Sequence, residues 1–258
     1  MFLRGDTHRL YHELAWVYDA IYPQIFDYRA VYDALKPVLE EKQVESILEV
    51  ACGTGRLMAI LESEGYVVTG VDLSPEMLAL ARLRVKGKLV QLDMRELGFS
   101  DEFDAVLCLG SSFTYMPTDR DALKALRSFH GALKPGGVLI FDNFNAERFD
   151  PERYRDWREN VYRVEGATIT RRSKNKDWDP ESYRWVAEWE YIIEKDGSTQ
   201  RVTDSCALRA FTYHQIARML EKTGFIEARL MSRERMMVQA KKSLYSQPNP
   251  SDSTNSRI

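Results

Sequence analysis

Two carboxylates and a pair of glycines are the first residues whose types and spacing can do chemistry. Glu49-Val50-Ala51-Cys52-Gly53-Thr54-Gly55 closes an apolar run, 46–51, and leads into a helical pattern through Leu57, Met58, Ile60 and Leu61. Glycines let the backbone turn sharply and approach a ligand with no side chain between. The helix after the turn points free N–H groups at it, an arrangement that welcomes carboxylates and phosphates. Asp72 ends the next apolar run, 66–71, close to the roughly 20 residues past the glycines expected of a ribose-binding carboxylate. Such a group accepts hydrogen bonds from both vicinal hydroxyls. The expected ligand therefore carries a ribose. The diphosphate fingerprint G-x-G-x-x-G is incomplete, because Met58 stands where its third glycine belongs.

Four stretches in order, Glu49 to Gly55, Val71-Asp72-Leu73-Ser74-Pro75-Glu76-Met77-Leu78, Leu92-Asp93-Met94 and Leu133-Lys134-Pro135-Gly136-Gly137, resemble the motifs of class I S-adenosylmethionine-dependent methyltransferases. The resemblance covers residues 46–143 and departs at Ala51, where many members carry glycine. It implies S-adenosylmethionine as cofactor and S-adenosylhomocysteine as product. By the same resemblance, Gly53 and Gly55 let the backbone approach the nucleoside and amino-acid parts, and Asp72 holds the ribose diol. Asp93 accepts from the adenine amino group, while Leu73, Met77 and Met94 sandwich the ring. Glu49 orders the turn, and the Gly110 carbonyl meets the methionine ammonium.

Tyrosines crowd the first third of the chain. Tyr18-Asp19-x-x-Tyr22 and Asp27-Tyr28 resemble the N-terminal lid of small-molecule methyltransferases, which implies cofactor contacts for Tyr18 and Tyr28 and a place near substrate for Tyr11. An aromatic face also suits a sulfonium through cation–π attraction. Tyr22 and Tyr32 are read as packing residues. Tyr115 follows the fourth expected strand, where related sugar N-methyltransferases can carry a histidine near the acceptor. With a pKa near 10 a tyrosine is a poor base at neutral pH. Tyr115 is therefore expected to position the acceptor or shield the methyl, with core packing as the alternative. His8 and His12 are read as a solvated helix face, and no metal set is expected. No histidine is placed to act as base, which favours a nitrogen acceptor over oxygen; Glu188 and Glu190 are the alternative bases.

The elements that must position these residues follow from pattern. Helices are expected over 7–20 and 27–42, the latter kinked or shortened by Pro37. Strands at 46–51, 66–71, 88–92, 103–109 and 137–143 alternate with helices, which predicts a Rossmann-like, mostly parallel seven-stranded α/β sheet with helices on both faces. Ser74-Pro75 and Thr118 open helices as caps. Ligands of such sheets gather at the carboxyl ends of the strands. From 150 to 211 the rhythm breaks: period-two alternation through Tyr183, Trp185, Ala187, Trp189, Tyr191 and Ile193 predicts a three-stranded antiparallel insertion. Its apolar face packs on the core or on a second copy as a homodimer, or roofs the pocket at its edge. The expected organisation is a helical lid at 1–45, a cofactor-binding core at 46–149, the insertion at 150–211, a helix and strand pair at 212–240, and a disordered tail at 241–258.

Composition narrows the function. The 258 residues are 44% hydrophobic and 29% charged with a net charge of −3, so no overall field draws nucleic acid or an anionic membrane. No apolar run would span a bilayer and the first residues lack a signal-peptide core. Three scattered cysteines argue for a reduced, cytoplasmic protein. The expected activity is methyl transfer to a small-molecule acceptor. The alternatives are an NAD(P)-dependent oxidoreductase and a non-catalytic cofactor-binding protein.

Overall fold

The computed structural model describes residues 8–150, 152–234 and 236–244. A 3-10 turn at Arg9–Tyr11 precedes α1 (Ala15–Ile21), so the helix expected over 7–20 is broken. Tertiary partners take the backbone groups that would have closed it: Leu10 N–H donates to Asp204 Oδ2 (2.9 Å) and the Tyr11 carbonyl accepts from Ser74 Oγ (2.5 Å). By contrast α2 (Tyr28–Glu41) is not shortened by Pro37, which lies inside it. Its buried face of Tyr32, Leu35, Val38 and Leu39 keeps it on the sheet despite the missing donor.

The core then alternates as β1 (Ser46–Val50), α3 (Arg56–Ser63), β2 (Val67–Asp72), α4 (Pro75–Ala81), β3 (Lys88–Gln91), β4 (Phe103–Cys108), α5 (Asp119–Ala132) and β5 (Leu133–Asn143). Ser74 and Thr118 cap α4 and α5 by accepting from Met77 and Asp121 N–H. After the insertion come α6 (Tyr213–Lys222), β10 (Phe225–Ser232) and β11 (Met236–Lys242). The sheet order is β10-β11-β5-β4-β1-β2-β3, parallel except that β11 runs antiparallel to both its neighbours. Lys241 and Lys242, expected to begin the tail, instead finish β11; residues 245–258 lie outside the described residues.

The central strands β1, β4 and β5 are buried on both faces, which is why they read as apolar runs rather than alternations. Ile47, Ala105, Leu107 and Ile140 meet α2 and α3 on one side, packing with Leu35, Leu39, Leu57 and Met58. Leu48, Val50, Val106 and Phe141 meet α5 and α6 on the other, with Leu126, Phe129, Ile216 and Leu220. The chain passes from β1 outward to β2 and β3, then returns to β4 on the opposite side. The carboxyl ends of β1, β2 and β4 therefore border the crevice at this switch point.

The insertion has four strands, not three: β6 (Arg158–Val164), β7 (Ala167–Asp179), β8 (Arg184–Lys195) and β9 (Ser198–Arg209), paired in that order. Gly166, at φ 72°, turns the expected first strand into a hairpin. The inner face carries Ile169, Tyr191, Ile193 and Val202, which close over Leu10, Leu14, Val17 and Ile21 of the N-terminal segment. This face is thus covered by its own chain rather than by a second copy. Among the described residues no helix is long and apolar enough to cross a membrane.

Candidate active site

Between the crevice, the N-terminal segment and the insertion lies a cavity of about 680 Å³. Its floor is the turn after β1, where Ala51 (φ 55°) and Gly53 (φ 55°) are both left-handed. Gly53 faces the Tyr18 ring, whose hydroxyl would lie 3.8 Å from an added Cβ. Gly55, also left-handed at φ 74°, does not line the cavity. A Cβ there would come within 3.1 Å of Ala81 Cβ and 3.2 Å of Val85 Cγ1, so Gly55 lets α3 start close against the end of α4. Of the two glycines, Gly53 is the one that faces the cavity. Met58, at the third fingerprint position, is fully buried and packs between Gly70 and Gly87.

Every other residue expected at the cofactor or beside the acceptor from the motifs lines this one cavity: Tyr11, Tyr18, Tyr28, Glu49, Ala51, Gly53, Asp72, Leu73, Met77, Asp93, Met94, Gly110 and Tyr115. Asp72 ends β2 with Oδ2 accepting from Gly53 N–H (2.8 Å) and Oδ1 from Ser74 N–H (2.9 Å). Burial outweighs those bonds and lifts its carboxyl above the usual range. Glu49 stands beside it, 6% exposed, and its Oε2 has no hydrogen-bond partner among the described residues. Desolvation, and then the charge of Asp72, push Glu49 up to about 8. Asp93 sits differently. Arg95 grips both its oxygens, through Nε (2.9 and 3.1 Å) and Nη2 (2.5 Å), and reaches Asp121 through Nη1 (3.0 Å). Partial burial would raise Asp93, but Arg95 holds it below the carboxylate norm. Its oxygens are therefore less open to a ligand than the sequence alone suggested.

The tyrosines form a wall. Tyr18 and Tyr22 stack with centroids 3.8 Å apart, Tyr11 tilts against Tyr18 at 5.8 Å, and Tyr11 meets Tyr115 edge-on at 5.8 Å. The Tyr11 and Tyr115 hydroxyls share a hydrogen bond of 2.5 Å. Burial raises the pKa of both well above 10, so they act as neutral phenols. Tyr22 lines the cavity, contrary to its reading as packing alone; Tyr32 is a core residue whose hydroxyl donates to Glu64 (3.1 Å). The wall is fastened by Asp19. Its carboxylate accepts from Arg56 (3.0 Å) and Arg84 (3.1 Å), and Arg84 also donates to the Thr54 carbonyl in the glycine turn.

Several lining residues were missed from sequence. His8 is buried in the cavity wall with its ring 5.5 Å from Tyr115, whereas His12 pairs with Glu76 (2.9 Å) at the surface. The solvated face expected of the pair holds for His12 and fails for His8, because the helix carrying them breaks. Asn143 ends β5 buried, with neither amide atom hydrogen-bonded among the described residues. From the insertion, Arg171 and Asp204 project into the same space beside Trp189, which the alternation puts on the face able to roof the pocket. Period-two alternation was the available signal for Arg171 and Asp204. Glu188 and Glu190 point the other way, Glu188 to Lys174 (3.2 Å) and Lys176 (2.6 Å), Glu190 to Arg172 (2.8 Å) and Arg201 (2.5 Å). As charges already neutralised outside the cavity, they are not bases for it.

Comparison with known proteins agrees with this geometry. A methyltransferase-domain family profile matches residues 47–137. YqeM of Bacillus subtilis (strain 168), named as a methyltransferase, is 30% identical over 227 residues, covering 84% of this chain and 86% of its own. Glycine/sarcosine N-methyltransferase of Parasynechococcus marenigrum (strain WH8102) is 40% identical over 118 residues, 43% of this chain and 42% of that one. Among solved structures, the sugar N-methyltransferase KedS8 from Streptoalloteichus sp ATCC 53650 superposes with a TM-score of 0.75 at 25% identity, covering 84% of this chain and 88% of its own. The oxidoreductase alternative falls. Met58 fills the place of the third glycine, and β5 is followed in the sheet by the antiparallel β11 where the six-stranded dinucleotide fold continues parallel. The methyltransferase-domain profile and relatives named as methyltransferases favour an enzyme over the non-catalytic alternative. The chain belongs to the S-adenosylmethionine-dependent methyltransferases.

Proposed function

We propose that this protein methylates an amine of a small molecule. The observation that carries the reading is the single roofed cavity that joins the glycine turn to the Tyr11–Tyr115 pair. Its volume falls in the range of small-molecule sites. The donor set fits the cofactor: Asp72 offers a carboxylate to a diol, and the unpartnered Glu49 oxygen suits a cationic neighbour. In this reading Asp72 holds the ribose, while Leu73, Met77 and Met94 flank the adenine whose amino edge meets Asp93. Gly53, Gly110 and Glu49 border the amino-acid end, covered by Tyr18 and Tyr28.

The cofactor supplies a methyl already activated on sulfur. What the chain adds is alignment and exclusion of water. Tyr115, held by Tyr11, orients the acceptor through a neutral hydroxyl. His8 lines the cavity beside them and takes the proton of an acceptor that arrives charged. Asn143 offers both a donor and an acceptor to the substrate. The likeness to KedS8 and to the glycine/sarcosine relative, both named as N-methyltransferases, supports nitrogen as the acceptor. The test is calorimetric titration with S-adenosylhomocysteine, followed by mass-spectrometric screening of matched amine and alcohol panels. Micromolar binding with methylation of amines is expected; methylation confined to alcohols would overturn the acceptor assignment.

A further inference from the structure

Among the described residues three arginines line the cavity, and two are already neutralised: Arg56 by Asp19, and Arg95 by Asp93 and Asp121. Arg171 is not. Among the described residues no carboxylate lies within ion-pair distance of it, and its Nε is buried without a hydrogen-bond partner. The next residue shows the contrast. Arg172 points to the opposite face of β7 and pairs with Glu190, as Lys174 pairs with Glu188. Alternation puts Arg171 with Ile169 on the inner face, registered against Tyr191 and near Tyr22 and Tyr162.

Phenols do not supply the missing charge. Burial keeps Tyr22 and Tyr191 protonated, so the guanidinium faces neutral rings. Asp204 lines the same cavity but stands on β9, with β8 between it and β7, and it accepts the N–H groups of Leu10 and Ser205. Glu49, Asp72 and Asp93 all lie on the floor, where a cationic donor is expected. Arg171 is in the roof. Withdrawn from water and unpaired, a planar guanidinium recognises a carboxylate or phosphate far better than a neutral group.

We propose that Arg171 anchors an anionic group, carboxylate or phosphate, on the methyl acceptor, leaving the amine of that acceptor toward Tyr115. This rests on the amine-acceptor reading above. The test titrates acetate, inorganic phosphate and neutral acetamide separately, at constant ionic strength, into the isotope-labelled full chain holding S-adenosylhomocysteine. The Arg171 Nε–H resonance is identified by its absence from Arg171→Lys. Saturable movement of that resonance by acetate or phosphate, and not by acetamide, is expected. Acetate alone assigns a carboxylate acceptor, phosphate alone a phosphorylated one. Arg171→Gln should weaken anion binding roughly tenfold to a hundredfold and keep S-adenosylhomocysteine affinity within about twofold. No saturable movement with either anion, equal movement with acetamide, or anion affinity kept in Arg171→Gln overturns the proposal. Should Arg171→Gln not fold, the wild-type titration decides alone. Failure of S-adenosylhomocysteine to bind would instead strike the methyl-transfer reading, with the anion result still readable in the free chain.

Discussion

Cofactor binding should release a proton, and Glu49 should be its source. Burial and the adjacent Asp72 push its carboxyl to about 8, and one of its oxygens has no partner among the described residues. A group with that value is ~90% protonated at about pH 7. A cation in the cavity favours the ionised form and lowers the value again. Linkage then requires binding of S-adenosylmethionine to release nearly one proton per site. Affinity should rise close to tenfold per pH unit up to about 8 and level off above it. Calorimetry in two buffers of different protonation enthalpy reads the proton number, and Glu49→Gln should release none. The same shift acts on the unliganded fold. Because the folded value lies above the ordinary 4.5, its stability contribution is complete below 4.5 and is lost as pH rises through about 8. The whole shift corresponds to ~5 kcal/mol. Thermal melts of Glu49→Gln should therefore stay flatter with pH and exceed the wild type at the alkaline end. An affinity that does not change with pH between about 6 and 8, or one whose pH dependence survives in Glu49→Gln, would refute the reasoning.

Asp72→Ala should weaken S-adenosylhomocysteine binding by roughly 2–3 kcal/mol in calorimetry with the fold retained, since it removes the diol acceptor and the bonds to Gly53 and Ser74. Unchanged affinity would sink the ribose assignment. Tyr115→Phe, which deletes the hydroxyl bonded to Tyr11, should lower kcat about tenfold and leave S-adenosylhomocysteine affinity nearly untouched. Equal losses in both would move Tyr115 into the cofactor's surroundings. Ala51→Gly should stabilise the protein by about 1 kcal/mol, because alanine is held at φ 55°, and raise Tm by about 2–4 °C in calorimetric scans. An unmoved Tm would show that the turn stores no strain at this position.

Much of the core was legible because burial writes itself into periodicity. Ile47 and Leu48 face opposite helical layers, so β1 reads as a continuous apolar run, and Ser74 announces α4 by its own capping chemistry. Residues governed by distant partners were not legible. His8 enters the cavity wall because the segment after it gives its hydrogen bonds to Asp204 and Ser74, contacts that no local pattern encodes. The register of the insertion decides that Glu188 meets Lys174 while Arg171 is left facing inward. Gly55 was expected from its motif to face the ligand, and the approach of Ala81 and Val85 to it depends on how α4 packs, which no local spacing encodes. Asp93 was visible as a carboxylate after a strand, but the grip of Arg95 on it depends on how the following loop folds.

The position of β11 bears on how the chain is made. It pairs with β5 along Met236 to Lys241 and with β10 on its other side, so the last strand in sequence is an interior strand of the sheet. During synthesis β5 emerges long before its partner, and until β11 exists one of its edges is open. Such an edge can recruit strands from other chains. The long insertion, translated in that interval, has to fold beside an incomplete sheet. Its four strands pair only with one another, each with its neighbour in sequence, so it can form without waiting for β11. Vectorial folding of this enzyme therefore has two stages: a local meander that closes as it appears, and a nucleotide-binding sheet that is sealed from its C-terminal side at the end.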